Sequence, residues 1–222
     1  MSLSSDIQRS AVLIPEPVLQ RLPWYLAYVT SLKGRGVEYV SSTHISRHLN
    51  VESSQIAKDL SYLGLKGKTR IGYEVTLLES RLQDMLGFEQ SHPAVIVGTG
   101  SLGGALLQDT GLRHFGLNIV GAFDISDAII GRVINGITVS PMTALSDICR
   151  RLNVEIAVIT VPSEVAQEVA DRLVAAGVRA LWNFTPYHIS VEPPMVVVNT
   201  SLYAHLAVMY NKLNIITPPS AK

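Results

Sequence analysis

An apolar run that stops at a glycine turn, Val95-Ile-Val-Gly98-Thr-Gly100-Ser-Leu-Gly103, limits the folds open to this chain. A buried strand that feeds a G-x-G-x-x-G turn and then a helix is the opening of a dinucleotide-binding βαβ unit. Gly98 permits the tight turn, Gly100 lets backbone approach a pyrophosphate, and Gly103 allows close helix–strand packing. The helix start presents free N–H groups and a positive dipole end to a diphosphate. Asp124 closes the next apolar run, about 20 residues beyond the last glycine, where such units place a carboxylate for the adenosine ribose. A carboxylate there repels a 2′-phosphate, so the residues point to NAD(H) rather than NADP(H).

The texture beyond Pro93 agrees. Apolar runs at Ala94–Val97, Ile119–Phe123, Ile156–Val161, Ala180–Trp182 and Met195–Val198 are mostly separated by helical patterns at Leu102–Asp109, Thr143–Leu152 and Glu164–Ala176. Alternation of nearly all-apolar strands with helices predicts a parallel sheet covered on both faces. Open sheets of this kind bind ligands at the carboxyl ends of their strands. The expected NAD(H) contacts are therefore Gly98, Thr99, Gly100, Ser101, Leu102 and Gly103, then Asp124 and Ile125. Thr160, Val161 and Pro162 join them from one later strand end, and Asn183, Phe184 and Thr185 from another. A last helix, Leu202–Leu213, follows the sheet with no further strand and is free to pack on a partner subunit.

Ahead of that body the pattern is helical. After Pro15 and Pro17, the positions Leu19, Leu22, Leu26 and Val29 have the spacing of one buried helix face, which Gly34 and Gly36 end. Ser41, Ser42 or Thr43 caps a second helix through Leu49. A third starts near Glu52–Ser54 with Ile56, Leu60 and Leu63 inward. Tyr73-Glu-Val-Thr reads as a short strand, Leu77–Leu86 as a further helix, and 87–93 as a boundary. Three helices followed by a basic, glycine-punctuated hairpin predict a winged helix-turn-helix. Net charge is zero over the 222 residues. Between Lys33 and Tyr73, however, Lys33, Arg35, Arg47, Lys58, Lys66, Lys68 and Arg70 face only Glu38, Glu52 and Asp59, a local surplus suited to phosphate.

Other functions lack residues. No apolar run reaches the roughly 20 residues of a membrane span, and MSLSSDIQRS has no signal-peptide layout. A lone Cys149 offers neither an intrachain disulfide nor a zinc cluster, which suits the cytoplasm. His44 and His48 have i,i+4 spacing without the glutamate of HExxH, so no metal is assigned. No Tyr-x-x-x-Lys pair is present, and His188 alone makes a poor acid–base group, so no catalytic residue is assigned. A cofactor site without chemistry points to sensing.

The chain resembles the Rex family of redox-sensing repressors from about Ile14 to Leu213. The resemblance is carried by Pro15-Glu-Pro, Arg21-Leu-Pro-x-Tyr25, Gln55-Ile-Ala-Lys-Asp-Leu-Ser-Tyr62 and Gly72-Tyr73. In the body it is carried by Val97-Gly-Thr-Gly, Ala122-Phe-Asp124, Thr160-Val-Pro, Ala166-Gln167, Ala176-Gly177 and Asn183-Phe-x-Pro186. It implies an α/β protein in four parts: a flexible lead at 1–14, a winged-helix head at 15–86, a Rossmann domain at 93–200 and a domain-swapped helix at 202–214. It implies a homodimer on an inverted-repeat DNA operator, released when NADH binds. Lys58 then resembles a base-reading lysine. Gln55, Ser61, Tyr62, Lys66, Lys68 and Arg70 resemble phosphate contacts, and Ser42 and Ser53, at helix starts, belong to the same DNA-facing set.

The chain also departs from the family pattern. Ala57 replaces an arginine before the recognition lysine, Ile129 replaces a lysine near the ribose carboxylate, and Lys68-Thr-Arg70 replaces Lys-Arg-Gly. A coupling triad of arginine, tyrosine and aspartate falls on Ala27, Asp109 and Ser201. Joint replacement of all three implies that nucleotide and DNA binding are coupled differently, or weakly, in this chain.

Overall fold

The computed structural model describes residues 14–216, and the chain divides between Glu89 and Gln90 into two compact units. The lead assigned to 1–14 lies outside the described residues except for Ile14.

The first unit opens with α1 (Glu16–Gly34), whose buried face includes Leu22, Tyr25, Leu26, Val29 and Leu32. A short strand β1 (Tyr39–Val40) leads to α2 (Ser42–Leu49), capped by the Ser41 hydroxyl, which accepts from the His44 N–H at 3.1 Å. Asn50 takes the left-handed conformation, φ 53°, that ends α2, and α3 (Ser53–Ser61) follows. After a basic loop, β2 (Tyr73–Glu74) pairs antiparallel with β1, Tyr39 opposite Glu74 and Val40 opposite Tyr73. The chain then enters α4 (Val75–Leu86). Val75 and Thr76, read from sequence as strand, belong to this helix. Its buried Val75, Leu78 and Leu82 repeat at helical spacing, and β1 is too short to pair with a longer β2.

The second unit is a seven-stranded sheet. Its strands and helices run β3 (His92–Val97), α5 (Ser101–Gln108), α6 (Gly111–His114), β4 (Leu117–Asp124), β5 (Val133–Ile134) and β6 (Ile137–Pro141). Then come α7 (Leu145–Arg151), β7 (Ile156–Ile159), α8 (Ala166–Ala175), β8 (Ala180–Asn183), β9 (Val196–Asn199) and α9 (Leu202–Ile216). The spatial order is β5-β6-β4-β3-β7-β8-β9, parallel throughout except where β5 meets β6. This is the doubly wound order, and it reverses direction between β3 and β7.

Alternate strand residues fill the two faces. Val95, Val97, Phe123, Ala157, Ile159 and Leu181 pack with Leu145 of α7 and Leu173 of α8. Ile96, Ala122, Val139 and Val158 pack on the other face with Leu107 of α5. The β5–β6 hairpin is absent from the sequence reading, although its turn is written as Asn135-Gly136, with φ of 49° and 79°. Two successive positive φ values are what a two-residue type I′ hairpin requires. At the C-terminus, all the α9 side chains that can be described are exposed, including Leu202, Tyr203, Met209, Tyr210 and Leu213.

Candidate functional site

The glycine turn is built by close backbone approach across the point where the strand order reverses. Gly98 sits at φ 92°, and a Cβ there would lie 2.8 Å from the Thr160 carbonyl oxygen. A Cβ on Gly103 would meet the Gly98 carbonyl oxygen at 1.9 Å, so helix α5 can rest on the turn only with glycine at that position. A Cβ on Gly100 would meet nothing within 4 Å. The open side of the turn is thus at Gly100, where the first N–H groups of α5 begin. Thr160 locks the arrangement, its hydroxyl donating to the Gly98 carbonyl at 2.6 Å.

Asp124 ends β4 beside this turn. Its Oδ2 accepts from the Thr99 N–H at 2.7 Å and the Thr99 hydroxyl at 2.8 Å. Its Oδ1 accepts from the N–H groups of Ile125 and Ser126 at 2.8 and 3.0 Å. Burial opposes ionisation, but these donors outweigh it and hold the carboxyl below the usual carboxylate range. The side chain is fixed as an anion at the rim of a cavity of about 650 Å³.

Gly98, Gly100, Asp124, Ile125, Thr160, Val161 and Pro162 of the expected contacts line that cavity. Thr99 is buried behind it on Asp124, and Gly103 lies under the turn. Ser101 and Leu102 are exposed on the first turn of α5. The third group is not part of that lining. The Asn183 amide donates to the Tyr187 carbonyl at 2.7 Å and to Asn199 Oδ1 at 2.9 Å, and its own oxygen accepts from the Thr185 N–H. Thr185 is buried, and the Phe184 ring lies 4.7 Å from that of Trp182, tilted by 46°. These residues brace the end of β8. Sequence reasoning missed the contribution of α8 and of the segment after β6, where Glu168, Val169, Arg172 and Met142 complete the lining.

In the first unit, α2 and α3 form the helix-turn-helix. The exposed face of α3 is Ser54, Ala57, Lys58 and Ser61, spaced as one helical stripe. Among the described residues Lys58 has no side-chain partner, and the Ser61 hydroxyl donates back to the Lys58 carbonyl at 2.6 Å. Ser42 and Ser53, half-buried, begin α2 and α3. Gln55 faces inward, its amide donating to Asp59 at 2.7 Å, and Tyr62 packs against the core. Asp59 is wholly buried and also accepts from Arg21 twice and from the Tyr25 hydroxyl. The signal for this cluster was a carboxylate within the apolar stripe Ile56, Leu60, Leu63, a position that demands partners.

The loop between α3 and β2 is tightened by a bridge between Lys68 and Gly72. A Cβ on Gly72 would lie 2.3 Å from the Val40 carbonyl oxygen. Lys68 donates to the Tyr39 hydroxyl at 2.7 Å, while exposed Lys66 and Arg70 have no partner among the described residues. His48 stacks on Tyr28 at 3.9 Å, which gives the histidine pair a packing role. Among the described residues no group of three or more His, Cys, Asp or Glu could hold a metal. No helix among them is long and apolar enough to cross a membrane.

The three coupling positions hold local roles. Ala27 is exposed on α1. Asp109 accepts from the Leu112 N–H at 2.9 Å and so caps α6. Ser201 accepts from the Ala204 N–H at 3.2 Å at the start of α9.

Comparison with known proteins places both units. Residues 13–61 match the family model described as putative DNA-binding protein N-terminus, and residues 89–187 match that of a CoA binding domain. The chain is 52% identical over 215 residues to the redox-sensing transcriptional repressor Rex of Bacteroides fragilis, covering 96% of this chain and 98% of the relative. Against the redox-sensing transcriptional repressor Rex 1 of Thermotoga maritima, identity is 40% over 197 residues, covering 88% and 94%. Among solved structures, RSP in complex with β-NAD+ and operator DNA matches with a TM-score of 0.87 at 31% identity, over 94% of this chain and 99% of that one. RSP in complex with β-NADH matches with a TM-score of 0.83 at 32% identity, over 91% and 95%.

Proposed function

This chain belongs to the Rex family of redox-sensing transcriptional repressors, and we propose that it acts as one: a homodimer that binds an inverted-repeat operator and leaves it when NADH occupies the body. The observation that carries this reading is the pairing in one chain of two sites. One is a glycine turn open at Gly100 beside the Asp124 carboxylate; the other is a helix-turn-helix whose exposed stripe bears an unpaired Lys58. The first N–H groups of α5 would hold the diphosphate, and the Asp124 carboxylate would hold the ribose hydroxyls in exchange for its bond from the Thr99 hydroxyl. Lys58 enters the major groove, and Lys66 and Arg70 meet phosphate from the wing.

The exposed apolar side chains of α9 support a second copy as its covering, since so continuous an apolar surface favours burial. A DNA partner and a buried, inert Cys149, its thiol pushed up to about 11 by burial, agree with a cytoplasmic protein. The relatives are transcriptional repressors, and the nucleotide here is a signal and not a reagent. A specific observation favours one refinement: Asp109 and Ser201 are occupied as helix caps, so the switch is transmitted by other residues.

Calorimetric titration tests the nucleotide half. NADH binds with one site per chain, and NADPH binds at least about tenfold more weakly because its phosphate meets Asp124. Absence of NADH binding contradicts the reading. Turnover of NADH with simple aldehydes or ketones would instead make the protein an oxidoreductase.

A further inference from the structure

The cavity beside Asp124 carries more than a ribose site. Its far wall is one face of α8 and the turn leading into it, where Val165, Glu168, Val169 and Arg172 recur at helical spacing. Together with Ile125, Ile129 and Met142 they make a largely apolar slot. With the ribose held at Asp124 and the diphosphate at Gly100, the base extends away from the turn and into this slot. A flat, apolar ring suits such walls, but its edge carries hydrogen-bonding groups that need partners.

Two charged side chains other than Asp124 line the slot and could meet that edge. Arg172 is engaged, donating to the Met142 carbonyl at 2.7 Å. Glu168 has no hydrogen-bond or ion-pair partner among the described residues. A carboxylate only accepts, and the exocyclic amino group of adenine only donates in its plane. Hypoxanthine and guanine place a carbonyl oxygen at the same corner, which an unpaired carboxylate repels. We infer that Glu168 reads the base of the dinucleotide, accepting the adenine amino group and thereby selecting adenine over oxo-purines. The inference rests on the cradle proposed above.

Affinities of the full-length protein for NADH, for its hypoxanthine analogue and for NADPH test the assignment, with Glu168→Ala and Glu168→Gln beside the unaltered chain. Glu168 is exposed on its helix, so both variants fold. The unaltered protein prefers NADH over the hypoxanthine analogue by at least about tenfold, the worth of one charge-assisted hydrogen bond. Glu168→Ala weakens NADH and brings the ratio close to one. Glu168→Gln, whose amide both donates and accepts, keeps NADH and gains the analogue. A ratio unchanged across all three proteins overturns the inference while leaving the cradle intact. So does a Glu168→Gln variant that gains only NADPH, because the carboxylate would then act on the 2′-phosphate. If the unaltered protein binds none of the three, the cradle reading itself falls and takes the inference with it.

Discussion

The Arg21 guanidinium clasps the Asp59 carboxylate with two prongs, Nε to Oδ2 at 2.7 Å and Nη2 to Oδ1 at 2.8 Å, and so ties α1 to the helix that carries Lys58. Tyr25 and Gln55 supply two further donors, each at 2.7 Å. A buried carboxylate with four donors has one orientation, and Lys58 is its chain neighbour. The pitch and rotation of the recognition stripe are therefore set from inside the head.

Replacing Asp59 with alanine leaves Arg21 and Tyr25 without their acceptor. The head loses about 2–4 kcal/mol, toward the lower end for broken buried pairs because a quarter of the Arg21 side chain meets water. Chemical denaturation followed by far-UV circular dichroism measures it. Burial raises the cost of ionising Asp59, but hydrogen bonds from Arg21, Tyr25 and Gln55 outweigh it and depress its folded-state pKa. The stabilisation is accordingly complete above about pH 4, the unfolded value, and is lost as pH falls through the folded one. Asp59→Asn removes that part of the acid slope; an unchanged slope would show that other carboxylates set it.

Two glycines of one motif are expected to fail differently. Gly103→Ala forces a methyl against the Gly98 carbonyl oxygen and costs about 1–3 kcal/mol or more of stability. Gly100→Ala meets no protein atom, so the melting temperature holds while NADH affinity drops. Thermal melts with and without NADH separate the two. Equal loss of stability in both would place Gly100 in the fold and not at the ligand.

Much of this was legible in the sequence. The glycine spacing and Asp124 locate the cradle, and the apolar runs give the parallel sheet, because both are written in local residue order. What was not legible depends on residues brought together from afar. Nothing in the residues around Asn183 indicates that Asn199 and the Tyr187 carbonyl engage its amide. Gln55 is a different case: its partner Asp59 is only one helical turn away, but the residue order does not show that this carboxylate is buried and draws the Gln55 amide inward. The third parallel strand, β6, is short and ends in Pro141, so its apolar pattern is less conspicuous than the longer runs, although the Asn135-Gly136 turn ahead of it is a legible hairpin signal.

Lys58→Ala should weaken operator binding and relax base preference by about 1–3 kcal/mol at one position of each half-site. Ala57→Arg, on the same exposed stripe, should tighten binding and steepen its salt dependence by about one phosphate contact. Gln55→Ala should lower head stability by about 1 kcal/mol, leaving the salt slope unchanged. Fluorescence anisotropy across a salt series distinguishes these. A shallower slope in Gln55→Ala would return that residue to the phosphate contacts.

Asp109→Ala removes the cap of α6 and costs about 1 kcal/mol. Because its carboxylate serves that turn, the variant should keep the nucleotide response of the parent. Loss of the response with retained NADH binding would make Asp109 part of the switch.

The most direct test is anisotropy of a labelled inverted-repeat operator at fixed salt, titrated separately with NADH and NAD+. NADH is expected to release the DNA at concentrations where NAD+ leaves it bound, although Ala27, Asp109 and Ser201 stand at the three coupling positions. Tight operator binding that neither nucleotide alters would contradict that expectation.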